Sequence, residues 1–133
     1  MEPTNVLPIY AVIALVTVEW GGWALLNYLT GRAAFADWQV AFVRAGHAHA
    51  GVLLVLSLVY LLYLPRAEYS DGLEWASGVV LMLGIMAQSG GFFVHVARGE
   101  PGKPSVGTRL TRIGARLAAV ALITLAVGLI QTV

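Results

Sequence analysis

Four long apolar runs, roughly 8 to 29, 40 to 64, 73 to 97 and 108 to 131, occupy most of the chain, with short polar segments between them. Each run is long enough to cross a bilayer core, which takes about 20 mostly apolar residues of helix. In lipid every backbone N–H and C=O must find a partner within the protein, so apolar segments joined by short loops predict helices packed on one another. The pattern therefore predicts an all-α, polytopic membrane four-helix bundle, with residues 1 to 133 forming a single transmembrane domain. Glu2 precedes the first run without any Lys or Arg, and no small-residue cleavage site follows it. It is thus expected to stay as the first helix rather than act as a signal peptide.

Composition agrees, since 59% hydrophobic and 11% charged residues among 133 leave little for a soluble domain. The absence of cysteine removes disulfides, thiolate metal ligands, iron–sulfur clusters and thiol catalysis together. A net charge of +1, with no basic arm, gives no reason to expect nucleic acid. Charge placement says more. Seven of the eight basic residues (Arg32, Arg44, Arg98, Lys103, Arg109, Arg112 and Arg116) lie in or beside the segments joining runs one to two and three to four; Arg66 alone lies with the other side. Positive loops stay cytoplasmic, so both termini and the segment RAEYSDGLE are expected outside a bacterial cytoplasmic membrane. The halves also echo each other. EWGGW (19 to 23) is answered by QSGGF (88 to 92), and RAGHAHA (44 to 50) by RIGARLA (112 to 118), at spacings of 69 and 68 residues. Gly31 and Gly99 follow the same spacing. The echo suggests two copies of one hairpin related by an axis along the membrane normal; recurrent small-residue packing motifs would produce the same echo.

The polar residues inside the runs are the candidate chemistry. Positions i, i+3 and i+4 share a helix face, and i and i+2 point nearly apart. Arg44, His47 and Gly51 make one face of the second run, and His49 belongs to another. On the third run Ser77, Leu81, Gly84, Gln88, Gly91 and His95 form one small and polar stripe; on the first, Glu19, Gly22, Trp23 and Leu26 do likewise. A charged side chain at the bilayer centre costs at least about 2.5 to 3.5 kcal/mol, which makes each such residue a functional hypothesis in search of a partner. Arg98, Arg109 and Arg112 fit snorkelling to the interface, whereas Arg44 and Arg116 fit equally a pairing with Glu19 or a ligand carboxylate. His47 and His95 are expected to face the bundle interior together, with Glu19 and Arg44 nearby.

Three ligand chemistries suit this set. His47 or His49 with His95 can supply axial nitrogens to a haem b, with Gly46, Gly51, Gly90 and Gly91 leaving room for the macrocycle and Arg44, Arg98 or Arg116 holding its propionates. Glu19 with His47, His49 and His95 can hold a zinc, iron or copper ion. Without any cofactor, the same groups can form a proton or anion pathway.

The segment RAGHAHAGVLLVLSL resembles the Arg, His-x-His, small-residue, aliphatic pattern of helices in haem–copper oxidase subunit I and NnrS-like proteins, where such histidines bind haem or copper. The resemblance covers about 20 residues, and the chain lacks the further helices and histidines of the oxidases. It implies haem or metal binding at His47, His49 and His95, not oxygen reduction. Taken together, TVEWGGWALL and FVRAGHAHAGVL are similar to small four-helix membrane proteins of actinobacteria and related bacteria, and this second resemblance implies the architecture alone.

The leading expectation is a small membrane protein that binds haem or metal, with an electron-transfer or sensing role. The competing reading is an accessory subunit whose small-residue faces and Trp20, Trp23, Trp38 and Trp75 dock onto a larger membrane complex or a second copy, or else a proton or ion conductor. No nucleophile and base pair, phosphate loop or paired catalytic carboxylate is visible, so an enzyme is neither expected nor excluded.

Overall fold

A computed structural model describes residues 2 to 133. Four long helices follow one another: α1 (Pro3–Leu29), α2 (Asp37–Tyr63), α3 (Asp71–Arg98) and α4 (Val106–Gln131), with one tight helical turn, Leu64–Ala67, after α2. All four are long and apolar enough to cross a membrane. The protein is an all-α, multi-pass membrane four-helix bundle, with no strand among the described residues.

Local sequence explains the helix ends. Helix α1 begins five residues before the apolar run, because Pro3 sits at the first helical position, where no N–H is required, and Pro8 removes a single bond to the first turn. It stops at Gly31, whose φ of +72° lets Gly31 N donate to Tyr28 O and Arg32 N to Asn27 O at 3.0 and 2.8 Å. Gln39 Oε1 accepts from Ala36 N at 3.0 Å to start α2. Ser105 caps α4, its Oγ accepting from Thr108 N while Thr108 Oγ1 accepts from Ser105 N.

Packing is uneven. Helices α3 and α4 pack backbone to backbone: a methyl group at Gly84 would meet Ala118, one at Gly91 would meet Gly107 and Thr111, and one at Gly114 would meet Gln88. Small residues permit this approach, and in lipid close packing is the main force holding helices together. The predicted small and polar stripe of α3 is the surface α4 covers, with Ser77, Leu81, Gly84, Gly91 and His95 all buried. Helix α2 lies on α3 where Gly46 meets Phe92 and Phe93, and Tyr60 Oη donates to Ala121 O of α4 at 3.3 Å.

Helix α1 is the least covered. It touches α3 through Leu7, which sits on Gly78, and α2 through Val18 on Gly51 and His47 on Gly21 and Gly22. Its buried residues, Pro3, Leu7 and Ala11, all lie in its first third. The apolar core, which includes Leu54, Tyr60, Leu61, Leu64, Leu81 and Leu125, accordingly gathers toward the end of the bundle that holds both termini.

Candidate functional site

The three histidines face three different neighbours. His47 turns to α1, where its ring fills the space beside Gly21 and Gly22, with Nδ1 3.1 Å from where a Gly21 Cβ would stand. His95 is 1% exposed, its Nδ1 2.7 Å from Ser105 Oγ at the cap of α4. Its ring lies against Phe42, with centroids 4.2 Å apart, and edge-on to Trp38 at 5.7 Å. His49 turns to α3, and its ring lies 5.0 Å from that of Phe92.

The expectation that His47 and His95 share one interior is therefore corrected. Helix α1 covers the His47 face of α2, and the tight α3–α4 contact encloses His95, so the two rings lie in separate layers. From His95 to His49 the contacts run through Phe42 and Phe92, whose own centroids are 6.1 Å apart. Two phenylalanine rings occupy the place a shared ligand would need.

Glu19, Arg44, Arg98 and Arg116 are all exposed. Arg116 projects about 160° around α4 from Gly114, the residue seated on α3, so it points away from the histidines. Among the described residues no three His, Asp or Glu side chains are placed to hold one metal ion. The glycines expected to make room for a macrocycle are mostly filled by neighbours: Gly46 by Phe92 and Phe93, Gly51 by Val18, and Gly91 by α4. Only Gly90 of that set is open. Among the described residues no Glu19–histidine metal centre is thus assembled, and Phe42 and Phe92 stand between His49 and His95.

What is assembled is a smaller site around His49. Its Nδ1 lies 2.8 Å from the backbone oxygen of Ala45. A carbonyl only accepts, so Nδ1 carries the proton and Nε2 of the neutral ring keeps its lone pair. The ring lines a cavity of about 390 Å³ with Ala48, Val52, Leu53 and Gln88. Gln88 brings an amide to the same wall, which supplies a donor and an acceptor beside the imidazole. Two apolar cavities lie along the same flank of α2. One of about 140 Å³ is bounded by Ala41, Phe42, Ala45 and Phe92, and one of about 270 Å³ runs between α2 and α4 from Leu56 to Leu129. The three cavities follow one another along α2, and the middle one carries the polar pair. Nearby in sequence, Ser89 Oγ is buried and has no partner among the described residues.

Sequence reasoning placed Gln88 on the polar stripe without assigning it a role, and it missed Phe42, Phe92 and Ser105. For Ser105 a signal exists: Ser-Val-Gly-Thr ahead of an apolar run has the spacing of a capping box. For the phenylalanines none does, because aromatic residues in an apolar helix look alike whether they face lipid or a histidine.

Compared with known proteins, the chain matches no family model, no curated protein and no solved structure.

Proposed function

We propose that this protein binds a lipophilic molecule dissolved in the membrane, holding its polar head between His49 and Gln88 and its hydrocarbon part along the same flank of α2. The observation that carries the reading is the His49 imidazole, fixed through Nδ1 to Ala45 O at 2.8 Å on the wall of a cavity shared with Gln88. Side chains that can make several hydrogen bonds are costly in hydrocarbon unless satisfied. A head group that offers a carbonyl or a hydroxyl suits the pair, since the Gln88 amide can donate to a carbonyl and His49 Nε2 can accept from a hydroxyl. Quinone-type lipids offer these in turn, carbonyls in the quinone and hydroxyls in the reduced quinol, and a redox-active occupant would make the protein an electron-transfer or sensing module.

A second reading is favoured by the same tautomer. An imidazole that donates Nδ1–H to a backbone carbonyl and keeps Nε2 free is oriented as metal-ligating histidines usually are. In that reading His49 alone holds the iron of a haem b, or another metal ion, from one side. The asymmetry of the arginines supports a bacterial cytoplasmic membrane with both termini outside and His49 in the cytoplasmic half.

Protein purified in mild detergent tests both readings through one visible-absorption spectrum, metal analysis and mass spectrometry of the co-extracted lipids. We expect an enriched quinone-type lipid that is lost in His49→Phe and Gln88→Leu and kept in His47→Ala. A Soret band or bound metal lost only in His49→Phe would select the metal reading. Wild-type protein carrying neither, or His49→Phe keeping the bound species, overturns both.

A further inference from the structure

Glu19, Arg44 and Arg116 are exposed charges inside the spans that nothing above explains, and the first two lie on one flank. Glu19 lies ten residues before the inner end of α1, about 15 Å along the helix, and so near the middle of the span. It is exposed, as is Arg44. Among the described residues the one ion pair is Lys103–Glu100, so neither charge is paired with another of them. Both nevertheless border the same seam, Glu19 three residues from Gly22 and Arg44 three from His47, and Gly22 and His47 are in contact.

Both also point away from the rest of the bundle. At about 100° per residue, Glu19 projects about 120° around α1 from Leu7, the residue seated on α3, and Arg44 about 160° around α2 from Gly46, which also meets α3. The His47 contact sets their depths. Glu19 lies about 4 Å outward of it and Arg44 about 4 Å inward, an offset the two side chains together span. Around them the flank is hydrocarbon, with Val12, Trp23, Leu26 and Val55 each more than half exposed.

We propose that this α1–α2 flank is the contact surface for a second copy of the chain, in a twofold dimer whose axis runs along the membrane normal and in which Glu19 of each copy pairs with Arg44 of the other. Lipid tails cannot satisfy either charge, and an anionic headgroup can answer only Arg44. A foreign helix would have to bring both a base and an acid at matching depths. A second copy brings both by symmetry, because a twofold contact sets each residue against its complement. The acid and base are then removed from lipid together, the condition under which intramembrane charges are tolerated.

The test uses reversed charges in the full-length protein, with dimerisation measured in liposomes by fluorescence energy transfer between labelled copies. Wild-type protein is expected to dimerise. Glu19→Arg alone and Arg44→Glu alone are each expected to be monomeric, since each sets like charges together twice. Mixing the two single variants should restore a heterodimer with both pairs intact, and the double variant E19R/R44E should restore the homodimer. Rescue in the double variant without rescue on mixing would place the pair within one chain and overturn the proposal, as would monomeric wild type. If a reversed charge prevents insertion, Glu19→Gln and Arg44→Gln serve instead. Each should weaken dimerisation about tenfold, two pairs being lost at about threefold apiece, and unchanged affinity in both overturns the proposal.

Discussion

Adding one methyl group to α4 at Gly114 should unfold the protein more easily, whereas the same addition to α3 at Gly90 should stabilise it. A Cβ at Gly114 would stand 2.5 Å from the Gly84 carbonyl oxygen and 2.7 Å from Gln88 Cα, both backbone atoms that cannot swing aside. Ordinary contact begins at 3.4 Å, so α3 and α4 must part by roughly 1 Å. A gap of that size forfeits a quarter to a half of the attraction across the interface. With about 50 atom pairs at about 0.15 kcal/mol each, the loss is roughly 2 to 4 kcal/mol, at or above the usual cost of overpacking. At Gly90 nothing lies within 4 Å of the added carbon. The substitution there only removes the conformational freedom of glycine from a helix interior, a gain of about 0.5 to 1 kcal/mol. Equilibrium unfolding in mixed micelles, titrated with sodium dodecyl sulfate and followed by tryptophan fluorescence, measures both. The two variants should differ by about 3 kcal/mol or more. A difference under about 1 kcal/mol would refute the view that backbone contact between α3 and α4 carries the stability of the bundle.

Replacing His95 with Ala should cost about 3 kcal/mol in the same assay, since it empties the space under Trp38 and Phe42 and removes the imidazole bonded to Ser105 Oγ. Equal stability would remove His95 from the list of structural anchors. Tyr60→Phe deletes the bond to Ala121 O and should cost about 0.5 to 1.5 kcal/mol, with the fold otherwise unchanged by circular dichroism. For topology, single cysteines placed at positions 70 and 103 of this cysteine-free chain are expected to react with an impermeant reagent in intact cells at 70 and not at 103. The opposite pattern reverses the orientation.

The helices were legible in the sequence because the cause of their formation is local. An apolar run long enough to span hydrocarbon has to satisfy its own backbone, and only a helix does so segment by segment. The stripe through Ser77, Gly84, Gly91 and His95 was legible for a similar reason, since its spacing fixes a shared face whatever lies opposite. Which neighbour covers a face is not local. The sequence shows that His47 and His49 point apart, but not that α1 takes one and α3 the other, because that depends on the order in which the helices pack. Backbone contact at Gly84, Gly91, Gly107 and Gly114 commits α4 to α3. That commitment buries His95 against a capping serine, sets Phe42 and Phe92 between it and His49, and leaves most of α1 uncovered. The histidines that looked like one ligand set in sequence are thus divided among three interfaces, since a helix face can meet only one neighbour at close range and glycine spacing decides which neighbour comes closest.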